Sequence, residues 1–323
     1  VPNDAVIEWL RDSDPALRWQ VERDLMADPP EVWEATRARI ATEGFGARLL
    51  ALQGTDGQWA GGAFFPAHFE PEAGETGQPW TATTWTLNSL REWSLDPAVL
   101  RERRTAELLA ENSRWEYQNL AVLGRRGRLL HQRLDRRERP VARRRRDRDR
   151  RLVPRTPAAR RRLELRVGRG LDPVVVPFDA ELPQGPARLR RRDGRHGGDA
   201  RRAAFRRGVP AAARLLRRLS TGEPVAPWVD HVAYPFRWSY SVLNAAEYFR
   251  QASLVDGTAP DQRMAEAIEL VRAARQPDGT WIQASRHPGR VWFEVDVPAG
   301  EPSKWLTLFG TRVLAWWDAQ SPG

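Results

Sequence analysis

The sequence predicts an all-α protein whose helical hairpins stack and curl into an α/α toroid, with a central third that does not share the pattern. Three observations predict it. Apolar residues recur at every third or fourth position through both flanks of the chain. A helix ending in Gln, followed by Asp-Gly-x-Trp, occurs in each flank, as "LLALQGTDGQW" at 49–59 and "VRAARQPDGTW" at 271–281. The excess basic charge is confined to one block between them: residues 1–120 carry a net −9, residues 121–218 a net +22 and residues 219–323 a net −3.

The elements follow in chain order. In "DSDPALRWQVERDL", Asp14 is an N-cap and Pro15 a helix start, which predicts an N-terminal amphipathic brace without chemistry of its own. "PPEVWEATRARIATEGFGARLLALQ" places Trp33, Ile40, Leu49 and Leu50 along a helical stripe, with Gly44 and Gly46 marking a break. "TDGQWAGGAFFP" is a turn in which Asp-Gly supplies the positive-φ position. "PWTATTWTLNSLREW" predicts a helix beginning at its proline, and a third helix covers about 98–112. Beyond the block, "RWSYSVLNAAEYFRQAS", "DQRMAEAIELVRAARQ" and "SKWLTLFGTRVLAWWDA" predict three more helices, and "VWFEVDV" a minor strand.

The repeat unit runs from the Gln-ended helix through the Asp-Gly-x-Trp turn to a second helix beginning near a Thr-Leu pair. The first unit holds Gln53, Asp56, Gly57 and Trp59, then "TWTLNSL"; the last holds Gln276, Asp278, Gly279 and Trp281, then "KWLTLFGTRVL". Between Trp59 and Trp281 there is room for a middle unit. A hairpin of this kind cannot bury its apolar face alone, so the units must stack.

The middle third is anomalous. All of the basic residues in 121–218 are Arg, and the block contains no Trp, Tyr, Ile, Ser, Asn, Met or Lys. A nucleic-acid arm would carry stacking aromatics, and a disordered tail would be rich in Ser and Gln. A shifted reading frame in GC-rich DNA accounts for the bias, because such frames are dominated by Arg, Pro, Ala and Gly codons. Offset by one base, and with the free wobble base chosen, "PRTPAARRRLE" can encode LEHQLPDGGW, which has the form of the two turns in the flanks. The domain reading is therefore 1–120 and 213–323 as toroid hairpins, with 121–212 as the frame-shifted segment.

The repeated turns and the helices after them resemble the squalene cyclase and protein prenyltransferase superfamily, whose members are α/α toroids. The resemblance covers about 30–120 and 213–320 and implies handling of an isoprenoid, by cyclisation or prenyl transfer. It also implies that Trp59 and Trp281 fasten neighbouring hairpins. Two departures stand out. The Asp-rich D-x-D-D motif of the cyclases is absent. The zinc motif of the prenyltransferases, an Asp/Cys pair and a distant His, occurs only in the shifted frame; here those positions read Arg128, Leu129, Leu130, Pro177 and Phe178, none of them a zinc donor. The chain as written thus implies no metal, and a frame-corrected protein implies zinc.

"PWVDHVAYPFRWSYSVLNAAEYFR" is the most suggestive intact stretch. Asp230 and His231 are a candidate acid/base pair. Trp238, Tyr240, Phe236 and Trp228 are candidates to line an apolar cavity, with Arg237 placed to hold a diphosphate. Trp80 and Trp85 are candidate substrate-lining residues from the first flank. The competing reading makes these aromatics core packing and Asp230 and His231 a cap. Glu294 and Asp296 share one side of an extended segment and read as a solvated face rather than a paired-carboxylate site.

There is no Cys, no glycine-rich phosphate loop, no H-E-x-x-H and no nucleophile elbow. No apolar run approaches membrane-spanning length and the start lacks a signal-peptide pattern, so the expectation is a cytoplasmic protein with at most peripheral membrane contact. Two other functions stay open at this point: a non-enzymatic helical-repeat binding protein, and a polyanion or nucleic-acid binder acting through its Arg block.

Overall fold

The computed structural model describes residues 4–69, 77–116, 119, 122, 230–237 and 241–319. Nearly all of the proposed frame-shifted segment, 121–212, lies outside the described residues, as do Trp228, Trp238 and Tyr240. The described residues form α-helices with short 3-10 turns and no strand. They comprise α1 (Asp4–Arg11), α2 (Pro15–Asp24), α3 (Pro30–Ala38), α4 (Gly44–Ala51), α5 (Thr83–Glu92), α6 (Pro97–Glu102), α7 (Thr105–Asn112), α8 (Val242–Asp256), α9 (Ala265–Ala273) and α10 (Lys304–Asp318). Among them, no helix is long and apolar enough to cross a membrane.

Local chemistry explains most of the boundaries. Asp14 caps α2 by accepting from the Ala16 N–H at 2.9 Å, with Pro15 at the first helical position. The same carboxylate also accepts from the Phe45 N–H at 2.8 Å, tying the start of α2 to the start of α4. Ser241 and Ser303 cap α8 and α10 in the same manner. Three expectations need correction. The helix foreseen from Pro79 begins at Thr83, because residues 77–82 are drawn into a loop pairing with 288–292. The helix foreseen over 98–112 is two helices, broken where Arg104 takes φ +52°. The foreseen strand at 291–297 is a loop, and β-pairing among the described residues is limited to isolated bridges such as Ile282 with Pro302.

The two repeat turns match bond for bond. The Trp59 indole N–H donates to the Leu49 carbonyl at 2.6 Å and that of Trp281 to the Val271 carbonyl at 3.0 Å, ten residues back in each case. The backbone N–H of each Trp donates to a threonine hydroxyl at 3.0 Å, Thr83 in one unit and Thr307 in the other. Asp56 and Asp278 each accept from the N–H two residues on, and Gly57 and Gly279 take φ of +82° and +94°. Both tryptophans are fully buried. The clamp also revises the repeat register: Thr83, not Thr86 of the Thr-Leu pair, is the partner equivalent to Thr307.

The flanks share one hydrophobic core, running from Val6 and Leu10 through Trp59 and Trp93 to Trp281, Phe309 and Trp317. Helix α10 packs against α8 and α9 and also against α1 and α2, which brings the last hairpin onto the first. A buried ionic cluster crosses that junction. Arg312 of α10 donates to Glu247 of α8 at 2.6 and 3.1 Å, and to Gln20 and Asp24 of α2 at 2.8 and 3.1 Å. Arg250 completes the cluster with two hydrogen bonds to Glu247.

Candidate functional site

Three segments converge between the flanks: the loop before α5, the stretch 230–237 and the loop 283–303. Two glycines allow the first and third to touch. A Cβ at Gly77 would lie 2.2 Å from the Pro288 carbonyl oxygen, and one at Gly289 would lie 1.8 Å from that of Gln78. The contact is zipped by indole and backbone donors: Trp80 Nε1 to Pro288 O, Trp80 N to Arg290 O and Trp292 Nε1 to Thr81 O. Stretch 230–237 is held by the buried Gln283, whose amide accepts from the Tyr234 N–H at 2.8 Å and donates to the Tyr234 carbonyl at 2.6 Å and to Asp296 at 3.4 Å.

Trp80 and Trp85 meet edge to face at 4.9 Å and are buried. The Arg237 guanidinium lies 5.1 Å from the Trp80 ring centre, and the His287 ring lies 6.1 Å from it. Burial pushes Arg237 down to about 10, with Tyr234 and Glu92 working against the shift, so it remains a cation at neutral pH. Among the described residues, no carboxylate lies within ion-pair distance of it. Its backbone takes φ +54°, an unfavourable region for a side chain of this size. Burial, and then the nearby Arg237 charge, hold His287 below its usual range.

An acid sits behind this group. Burial raises the Glu92 carboxyl at the end of α5, opposed by its hydrogen bond with Tyr234. Glu92 Oε1 is buried with no hydrogen-bond partner. The Tyr234 hydroxyl accepts from Trp93 Nε1 at 3.0 Å, and burial, with Glu92, raises it well above 10. The Tyr234 ring stacks on Trp305 at 4.6 Å and meets Phe236 edge on at 5.6 Å. Asp296 accepts from the Ser303 hydroxyl at 2.6 Å, and burial pushes it up to about 6.

The structure therefore brings together Trp80, Trp85 and Arg237 of the foreseen residues. Phe236 packs into the core against Phe309. Asp230 and His231 are exposed at the start of their stretch, and no hydrogen bond or ring contact joins them to the Arg237 group. Glu294 and Asp296 do not form the shared solvated face expected of them. Glu294 is exposed and ion-paired with Arg286, whereas Asp296 turns inward onto the cap of α10. Sequence reasoning missed Glu92, Tyr234 and His287. Glu92 read as an ordinary helix charge, and nothing local marks it as buried. Among the described residues, no group of three or more acidic, His or Cys side chains could hold a metal ion. The positions of the latent zinc motif lie outside the described residues.

No family model, curated protein or solved structure matches this chain.

Proposed function

We propose that the chain is an α/α-toroid protein of the squalene-cyclase and prenyltransferase type that binds an isoprenoid diphosphate, with Arg237 as the diphosphate ligand. One observation carries the reading. Among the described residues, this largely buried guanidinium, stacked on an indole, has no carboxylate within ion-pair distance, and Glu92 acts on it only from farther away. Burying a charge without a paired ion is costly, so the position is best explained by an anion supplied from outside. A guanidinium suits phosphate oxygens because its donors form a planar fork. The toroid reading is supported by the paired Trp clamps and by the packing of α10 against α1 and α2, as ring closure requires.

The test is calorimetric titration with farnesyl diphosphate and with farnesol. The wild-type chain should bind the diphosphate at least about tenfold more tightly, and Arg237→Gln should abolish that preference while retaining farnesol binding. Equal affinity for the two ligands, or an unchanged preference in Arg237→Gln, would overturn the assignment.

A further inference from the structure

A cavity of about 890 Å³ opens between α1, α2, the start of α4, the Asp278 turn and the segment 294–305. It is separate from the Arg237 group: neither Arg237, Trp80, His287, Tyr234 nor Glu92 lines it. Its volume suits a small organic ligand. Trp9, Phe45 and Trp305 supply aromatic wall, and Val6, Leu17 and Val295 aliphatic wall.

The charge of the wall excludes the ligand class proposed for Arg237. Asp12, Asp14, Asp278, Glu294, Asp296 and Glu301 face the cavity, and Lys304 is its one basic residue. Lys304 offsets only one of the six; its ammonium donates to the Asp12 carbonyl and lies 5.4 Å from the Trp9 ring centre. That contact is an independent indication of ligand type: an ammonium already rests on an aromatic face of this wall, where the ring quadrupole attracts cations. Four of the carboxylates have duties within the fold: Asp14 caps α2, Asp278 accepts from the Thr280 N–H and hydroxyl, Glu294 pairs with Arg286, and Asp296 accepts from Ser303. Asp296 is the inward acid of this wall: Ser303 and Gln283 donate to it, and burial disfavours its charged form.

We infer that this cavity binds an organic ammonium ion with a hydrocarbon body, its charge against Asp296 and the rim carboxylates and its chain along Trp9, Phe45 and Trp305. Such a ligand removes the cost of ionising Asp296, so its affinity rises with pH through the range in which Asp296 titrates. The titratable groups acting on Asp296 are Arg286, which favours its ionised form, and the Tyr234 hydroxyl; Glu294, Lys304, Glu301 and the carboxylates of the α1–α2 link share the cavity wall. Of these, Lys304 is lowered from its usual range by burial.

The probe is decyltrimethylammonium below its micellar concentration, compared with decanol and decyl sulfate, read by calorimetry and tryptophan fluorescence on the full chain. The ammonium should bind about tenfold more tightly than decanol, and decyl sulfate more weakly than either. Wild-type affinity for the ammonium should rise severalfold from pH 5 to pH 8, with decanol unaffected. Asp296→Asn should remove that rise, and the rim variant Glu301→Gln, on an exposed side chain, should weaken the ammonium alone. Arg237→Gln should leave all three affinities unchanged, which separates this site from the diphosphate site. Equal binding of the three probes, no ammonium binding at pH 8, or a wild-type affinity flat with pH would each overturn the inference.

Discussion

Replacing Arg312 with Met should destabilise the fold by about 3 kcal/mol, because it leaves buried acceptors without their donor. Arg312 is 5% exposed and makes four hydrogen bonds, two to Glu247 and one each to Gln20 and Asp24. Met fills the volume of the stem but satisfies none of these acceptors. Glu247 would keep Arg250 and Gln251, and Asp24 would keep Arg23, so the loss falls at the lower end of the roughly 3–5 kcal/mol typical of a broken buried pair. With a urea slope of about 3 kcal/mol per molar, the midpoint should fall by about 1 M at unchanged slope. The triple variant Arg312→Met, Glu247→Leu and Arg250→Met should recover much of the loss, since it removes the three most buried charges together and leaves Asp24 paired with Arg23. A single-variant loss below about 1 kcal/mol, or a triple variant less stable than the single, would refute the reasoning. The same cluster sets an acid limit. Burial alone would raise Glu247, but Arg312 and Arg250 hold it below its usual range. Its contribution is therefore present above the unfolded value of 4.5 and is lost as pH falls through the lower folded value.

Three further outcomes are expected. Thr83→Val and Thr307→Val should each cost about 1–3 kcal/mol in thermal or urea unfolding, because each leaves a buried tryptophan N–H unpaired, and the two losses should be similar. Asp296 has the opposite sign to Glu247. Its folded value is raised from 3.8 to about 6, so ionising it costs stability as pH rises between those values, and Asp296→Asn should stabilise the chain by about 3 kcal/mol at pH 8 and little at pH 4. Restoring the proposed reading frame between residues 120 and 212 should yield a protein that purifies with about one zinc per chain by metal analysis, whereas the chain as written purifies with none.

The helical class, the Trp59 and Trp281 turns and the capping of α2 were legible in the sequence, because each depends on residues close together along the chain. Asp14 and Pro15 specify a helix start wherever they occur, and Gly57 and Gly279 specify positive φ. The repeat was legible for the same reason, but the threonine partners of its tryptophans were not, because the clamp spans 24 residues in one unit and 26 in the other. The helix expected from Pro79 gave way to a tertiary contact, the pairing of 77–82 with 288–292.

Arg237, Trp80 and Trp85 could be named from residue chemistry, but only the fold set Arg237 over Trp80 with, among the described residues, no carboxylate within ion-pair distance. Glu92, Tyr234 and His287 carried no local signal. Their character comes from burial and from charges brought in by other segments, and a sequence pattern records neither. The same holds for Asp296: its spacing from Glu294 suggested a solvated pair, whereas packing turned one inward and left the other exposed. By itself, then, the sequence determined helices, turns and the identity of a cation that could meet a phosphate. The tertiary structure alone decided which charges lie buried together and which lie buried alone, since desolvation depends on every segment that closes over a group.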